Sequence, residues 1–309
     1  MAKAWRKAVG AVLDLPGAVV MLGAVDVGKT TAATRLANEA VRAGRRTAVV
    51  DLDMGQAALG PPATAALGRP DHPVRRMSEI PLERACFVGD TSPRGTYRFV
   101  LDGTVRLIGE AWARAAQVVI VDTTGWVSGP AAVAAKVAKI RRIGPLHIFA
   151  IQRAGEVEPI LERIPASVVV HRFRPSSRAR LRSSAERRAY REQRFGRYFA
   201  HARVLKIDLG RVSGERTVWY AGRRIPPVRV LAEVPPHALR HLLVGLAGRD
   251  GWMRALGTVA HAFPSANRMD VLAPLGSLAG VRRLQWGTLR VAPSGREEGR
   301  PAQALGRQR

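Results

Sequence analysis

Eight consecutive residues, Gly23-Ala24-Val25-Asp26-Val27-Gly28-Lys29-Thr30, carry the spacing G-x-x-x-x-G-K-[ST]. A loop of this kind curls so that several backbone N–H groups converge on one phosphate chain. The helix that follows adds the positive end of its dipole. In that chemistry Lys29 reaches the β- and γ-phosphates and the Thr30 hydroxyl holds Mg²⁺, while Gly23, Asp26, Val27, Gly28 and Thr31 complete the cradle. The plainer alternative is a glycine-rich turn before a structural helix. Lysine is scarce here, otherwise only Lys3, Lys7, Lys136, Lys139 and Lys206, which argues against a chance Gly-Lys-Thr.

Three further segments narrow the chemistry. In Val49-Val50-Asp51-Leu52-Asp53-Met54-Gly55-Gln56 two carboxylates end an apolar run, and one of them can face Mg²⁺ or an attacking hydroxyl. Val118-Val119-Ile120-Val121-Asp122 is a second apolar run closed by an acid, the pattern whose Asp binds Mg²⁺ directly or through water. Trp126 follows in Asp122-Thr123-Thr124-Gly125-Trp126, either as a core ring or as a platform on which a base stacks, worth roughly 1–3 kcal/mol. The third segment is basic. From His171 to Arg203 the arginines are Arg172, Arg174, Arg178, Arg180, Arg182, Arg187, Arg188, Arg191, Arg194, Arg197 and Arg203, opposed only by Glu186 and Glu192. Arg187, Arg191 and Arg194 recur at helical spacing and share one face. They form either a solvated basic face or a lid whose guanidinium groups close over a triphosphate.

These residues need a scaffold that brings strand ends together. Residues 18–22 read as a buried strand, 29–43 as a helix ending at Gly44, and 47–51 as a strand, followed by a proline- and glycine-rich loop. Helices over 104–116 and 130–142 then alternate with strands over 118–122, 146–151 and 167–170, with a short helix at 156–163. This is the βαβ rhythm of an α/β, doubly wound, mostly parallel sheet, whose ligands lie at the carboxyl ends of the strands. Short strand-like runs at 204–208, 217–220, 228–231 and 289–291 indicate a smaller β-rich region after residue 204.

The chain has 309 residues, 47% of them hydrophobic, enough for one large or two ordinary domains. Its net charge of +26 is either a compositional habit, since alanine and glycine are also abundant, or the mark of a polyanionic partner such as nucleic acid, and clustering in the arginine-rich stretch favours the partner. The single Cys86 excludes a disulfide framework and a zinc cluster and suits a reducing, cytoplasmic setting. The basic then apolar N-terminus is interrupted by Asp14 and Pro16 and runs into the phosphate loop, so a cleaved targeting signal is not expected. No run of about 18 apolar residues is present, so no membrane span is expected.

Taken as a set, GAVDVGKT, DLDMGQ, GDTSP, DTTGW and RSSAERRAYREQRFGRYF resemble the P-loop polynucleotide 5′-hydroxyl-kinase family, which includes Clp-type mRNA cleavage factor subunits, Grc-type pre-ribosomal RNA processing kinases and archaeal relatives. The resemblance implies a P-loop NTPase fold over 18–204 with a helical lid at about 174–203; the residues themselves read as a short extension over 1–17, a β-rich C-terminal domain over 205–293 and a polar, disordered tail over 294–309. It implies transfer of the γ-phosphate of ATP, with Mg²⁺, to a 5′-OH end of RNA and/or DNA. In that reading Lys29 and Thr30 bind ATP and Mg²⁺, Asp53 activates the 5′-hydroxyl and shares the metal with Asp122, and Gln56, Thr91, Ser92 and Trp126 meet the substrate end. Arg187 and Arg191 are its lid candidates. Two features depart from the family pattern. Asp122 stands where several relatives have Asn, and residues before 18 are few where many relatives carry a domain that contacts adenine or partner proteins.

Two rivals share part of this pattern. A GTPase of the signal-recognition-particle type also has G-K-T-T and D-T-x-G, but its guanine-reading [TN]-K-x-D is matched only by Leu205-Lys206-Ile207-Asp208, which lacks the first residue. A catalytically decayed, ATP-bound RNA-processing scaffold would keep the fold and lose the chemistry, against which Lys29, Thr30 and Asp53 argue.

Overall fold

The computed structural model describes residues 2–300. They divide into two compact units, one of residues 2–60, 65–85 and 92–183, the other of 61–64, 86–91 and 184–300.

In the first unit the elements run α1 (Ala2–Asp14), β1 (Ala18–Gly23), α2 (Lys29–Arg42), β2 (Thr47–Asp51), β3 (Thr64–Gly68), β4 (Leu82–Phe87), α3 (Tyr97–Ala113), β5 (Val118–Asp122), α4 (Pro130–Ile143), β6 (His147–Ile151), α5 (Glu158–Leu161) and β7 (Val169–Phe173), the ends of β3 and β4 crossing into the second unit. The sheet order is β4-β3-β2-β5-β1-β6-β7. From β2 to β7 all neighbours are parallel, and β3 lies antiparallel to β2. Strands β1, β2, β5 and β6 are buried along their whole length, as expected of near-continuous Val/Ile runs covered on both faces. Helix α2 buries Ala33, Leu36, Ala37 and Ala40, a 3-4-7 stripe, against Val19, Met21, Val49 and Ile120 of the sheet. The chain moves from β1 to β2 on one side and from β5 to β6 on the other, so the strand order reverses beside β1, where open α/β sheets hold ligands.

The second unit holds α6 (Ser184–Phe199), β8 (Arg203–Asp208), β9 (Ser213–Glu215), β10 (Val218–Tyr220), β11 (Arg223–Ile225), α7 (Val230–Glu233), α8 (Pro236–Leu239), β12 (Leu242–Ala247), β13 (Met253–Phe263), β14 (Arg268–Ala273), β15 (Arg283–Val291) and β16 (Glu297–Gly299). Its main sheet runs β16-β15-β12-β13-β14-β8, antiparallel throughout, with β9 added parallel to β15.

Several sequence expectations change. The boundary at 204 moves to 183/184, because Phe195 and Phe199 of α6 are buried with Phe87, Leu243, Leu256, Leu289 and Val291 in the second unit's own core. The arginine-rich stretch is thereby divided, 174–183 in the first unit and α6 in the second. Within the expected extension over 1–17, helix α1 (Ala2–Asp14) buries Trp5, Val9 and Val12 in the first unit's core. The expected disordered tail begins instead with β16, which pairs with β15, and residues 301–309 lie outside the described residues. The loop after β2 contains β3 and β4, missed because Thr64-Ala65-Ala66-Leu67-Gly68 has little of the β-branched and aromatic content that marks strands. Residues 228–231 are helical, not extended: Pro226 and Pro227 fix φ for a helical first turn, and Val230 and Leu231 turn into the core.

Candidate active site

The phosphate loop joins β1 to α2 at the reversal point of the sheet. Gly28 caps α2 with φ of +92°, a left-handed conformation that costs glycine little. Asp26 adopts φ of +57°, a left-handed conformation that aspartate enters more readily than most residues. Arg182 holds the Asp26 carboxylate, donating from Nη2 and Nε to Oδ1 at 2.7 and 2.8 Å and from its backbone N–H to Oδ2 at 3.0 Å. Lys29 is buried, and its ammonium donates to the Ala24 carbonyl at 2.7 Å. Gly125 approaches the same loop so closely that a Cβ would stand 2.5 Å from the Val25 nitrogen.

Strand register places the acids. Asp51 pairs directly with Asp122 across β2 and β5, so the two carboxylates emerge side by side. Their roles then diverge. Asp51 accepts from the backbone N–H groups of Asp53 at 2.9 Å, Ala58 at 2.7 Å and Leu59 at 2.9 Å, and thereby folds the loop after β2. Burial, followed by the neighbouring Asp122 charge, pushes its carboxyl up to about 8. Asp122 accepts the Thr30 hydroxyl on Oδ2 at 2.5 Å, while its buried Oδ1 has no hydrogen-bond partner among the described residues. Burial raises Asp122 to about 6, against the pull of Lys29 and Thr30. Asp53, half-buried, accepts from Gly55 and Gln56 N–H on Oδ1 at 3.2 and 3.0 Å, leaving Oδ2 for other partners. The Gln56 amide donates to the Gly55 carbonyl at 2.7 Å.

Thr30 and Asp122 fit a divalent cation: a hydroxyl and a carboxylate oxygen meet, and a second carboxylate oxygen is buried without a hydrogen-bond partner among the described residues.

Trp126 is half-buried, with the Arg94 guanidinium carbon 5.9 Å from its ring centroid. Ser92 lies in the first unit, its carbonyl accepting from Thr96 Oγ1 at 2.7 Å, and Thr91 ends a segment of the second. Arg187 and Arg191 belong to α6 in the second unit, where Arg191 grips Glu297 through Nε and Nη2 at 2.5 and 2.8 Å.

Sequence reasoning did not single out Arg182, Arg94, Lys136 or Lys139. Lys136 and Lys139 are both buried on α4. The Lys136 ammonium donates to Thr124 O at 2.5 Å and Thr123 Oγ1 at 2.9 Å, with a longer contact to Thr124 Oγ1 at 3.3 Å, and Thr123 in turn donates to Met21 O of β1 at 2.8 Å. The turn between Asp122 and Trp126 is thus tied both to α4 and to the strand that feeds the phosphate loop. Burial, then the charges of Lys139 and Lys29, hold Lys136 well below the ordinary lysine range. Burial lowers Lys139 to about 8, opposed by the Asp53 carboxylate.

Residues 23–201 match the sequence pattern of the mRNA cleavage and polyadenylation factor CLP1 P-loop family. The chain belongs to that family. A polyribonucleotide 5′-hydroxyl-kinase of Pyrococcus furiosus is 29% identical over 93% of this chain and 91% of its own length. One of Methanocaldococcus jannaschii is 29% identical over 92% and 90%. A solved complex of wild-type Clp1p with Pcf11p shares the fold, with a TM-score of 0.68 at 12% identity over 94% of this chain and 79% of that one. Membership in the CLP1 family speaks against the signal-recognition-particle-type GTPase. The structure adds a reason: Lys206-Ile207-Asp208 lies in β8, in the antiparallel sheet of the second unit, not at the carboxyl ends of the strands around the phosphate loop.

Proposed function

We propose that this protein is an ATP-dependent polynucleotide 5′-hydroxyl kinase acting on 5′-OH ends of RNA and/or DNA. The observation that carries this reading is the meeting, at the carboxyl end of one parallel sheet, of the phosphate loop, the Thr30–Asp122 pair and the D-x-D-x-G-Q loop. The loop N–H groups and Lys29 bind the triphosphate. Bound at Thr30 and Asp122, with Asp53 beside them, Mg²⁺ would neutralise charge on the phosphate oxygens. Asp53 takes the proton of the 5′-hydroxyl as its oxygen attacks the γ-phosphorus and the bond to the β-phosphate oxygen breaks, releasing ADP. Its Oδ1 is fixed by two backbone N–H groups, which orients Oδ2 for this task. Trp126, with Arg94 beside its ring, stacks on the terminal base, and Gln56, Thr91 and Ser92 contact the substrate end. Of the two lid candidates, Arg187 is the one that acts in phosphoryl transfer, and Arg191 is held by Glu297.

The test is transfer of label from γ-labelled ATP to 5′-OH RNA and DNA oligomers in the presence of Mg²⁺. Label at the 5′ end supports the kinase. Nucleotide binding by folded protein with no label on either oligomer supports the decayed scaffold instead.

A further inference from the structure

Residues 86–91 finish β4 and lead toward α3, yet they belong to the second unit. We propose that Asp90, clamped there by Arg300 and Thr288, is the positioning residue for Thr91 and Ser92, so that β15 and the residue after β16 set how tightly a 5′-OH polynucleotide end is held. The proposal rests on the kinase reading for the identity of that ligand; the clamp rests on hydrogen bonds within the second unit.

The segment is held along its backbone. The Val88 and Gly89 N–H groups donate to the Ala63 carbonyl at 2.9 and 3.0 Å, and Gly89 O accepts from the Thr288 N–H of β15 at 2.9 Å. Arg216 donates from Nη2 to Phe87 O at 2.6 Å and from Nη1 to Val88 O at 3.0 Å, with its guanidinium carbon 5.0 Å from the Phe87 ring centroid. Gly89 takes φ of +85°, and a Cβ on it would stand 2.8 Å from the Cα of Gly287 in β15, so the crossing needs glycine. Asp90 completes the hold. Its buried carboxylate accepts Thr288 Oγ1 at 2.6 Å and Arg300 Nε at 2.7 Å on Oδ2, and Arg300 Nη2 at 2.6 Å on Oδ1. A bidentate guanidinium and a hydroxyl thus occupy both oxygens, which suits this acid to holding the chain and not to proton transfer. Buried ion pairs often add little net stability over apolar packing. This one stands directly before Thr91 and Ser92, where a fixed chain direction has a use. A loop ordered before its ligand arrives spares binding the entropy of ordering it.

Fluorescence anisotropy of a 3′-labelled 5′-OH RNA oligomer, at fixed ionic strength and with ADP, reads acceptor binding apart from phosphoryl transfer. Arg300→Ala is expected to weaken the oligomer about tenfold and to leave ATP binding, followed by calorimetry, unchanged. Asp90→Ala should weaken the oligomer as well, although losing a carboxylate makes the protein more cationic and general attraction to a polyanion would tighten it. Arg300→Lys should restore only part of the loss, since an ammonium cannot span both oxygens as the planar fork does. Thr288→Val removes one bond to Asp90 and keeps the backbone bond to Gly89. It should weaken the oligomer about threefold, and it serves if the other variants do not fold. Amide hydrogen exchange over residues 88–92 should rise in each variant. Tighter oligomer binding by Asp90→Ala, unchanged binding by Arg300→Ala, equal weakening of ATP and oligomer, or full rescue by Lys overturns the proposal, as does a wild-type protein that does not bind the oligomer. A wild type that binds the oligomer but labels no 5′ end refutes the kinase reading, and the clamp is still measured by the variants. A wild type that labels the end, with variants that bind as it does, refutes the clamp alone.

Discussion

Arg182 and Asp26 lie 156 residues apart in the chain and share three hydrogen bonds, two from the guanidinium to one carboxylate oxygen and one from the Arg182 backbone to the other. The Asp26 side chain is only 4% exposed, so removing the Arg182 guanidinium takes an ion-pair partner from a buried carboxylate. Asp26 also carries a positive φ, so the pair sits on the left-handed residue of the phosphate loop. Arg182→Ala is expected to weaken ATP binding about tenfold, with Asp26→Ala on top of it adding less than its single effect. Calorimetry on the two single variants and the double variant checks this, and simple additivity would show that the two residues act separately.

Removing Lys29 and removing Asp53 should have separable effects. Lys29→Ala should abolish both ATP binding and transfer, because the ammonium is the buried cation of the phosphate site. Asp53→Asn should bind ATP normally and lose transfer by roughly 10²–10⁴-fold, the usual worth of a general base. Near-normal transfer by Asp53→Asn would move the base to another carboxylate.

The unsatisfied Oδ1 of Asp122 leads to a metal prediction. Chelating the divalent cation should stop transfer. Asp122→Asn and Thr30→Ala should each raise the Mg²⁺ concentration for half-maximal rate, about tenfold for Asp122→Asn, while Asp51→Asn should instead lower Tm through the loop it folds. Magnesium titrations alongside thermal melts distinguish the two carboxylates.

The lid arginines should also separate. Arg191 is paired with Glu297, whose side chain is 10% exposed, so Arg191→Ala and Glu297→Ala should lower Tm by similar amounts. Arg187→Ala should lower kcat with both substrates saturating, by as much as roughly 10³-fold if its guanidinium stabilises the transferring group. A change confined to KM, fully restored by Arg187→Lys, would make α6 a binding surface only.

The two buried lysines of α4 should respond in opposite directions. Lys136→Met strands Thr124 O and Thr123 Oγ1, and is expected to destabilise the fold by about 2 kcal/mol. Lys139 has its folded value lowered to about 8 from 10.5. Between those values the unfolded chain holds a proton that the folded chain has shed, so this residue makes stability rise with pH across that window. Below it the buried ammonium is a standing cost. Lys139→Met should therefore be more stable than wild type at pH 7, by on the order of 2 kcal/mol, and the gap should close toward pH 10. Urea denaturation at both pH values measures it; a gap that does not change with pH would show that packing, not charge, is responsible.

Short-range spacing was enough to read the phosphate loop, the acid-ended strands and the mostly parallel α/β class, because each is a local pattern: Gly23 to Thr30 within one turn, Val118 to Asp122 within one strand. The same locality made the motif set legible as a family resemblance. The division at residue 184 was not legible, since the partners of Phe195 and Phe199 are distributed among Phe87, Leu243 and Val291. Strand order alone made Asp51 and Asp122 neighbours, and it also gave Asp51 a structural task that its place in the D-x-D motif does not reveal. Lys136 and Lys139 look in sequence like the polar face of an amphipathic helix. Only the packing of α4 turns that face inward, where desolvation gives each ammonium its consequence. Arg182 on Asp26 and Trp5 under Arg35 are contacts between residues far apart in the chain. Local pattern fixes which groups are present, whereas their charge state, partners and aim depend on burial and strand order, and both are properties of the folded chain.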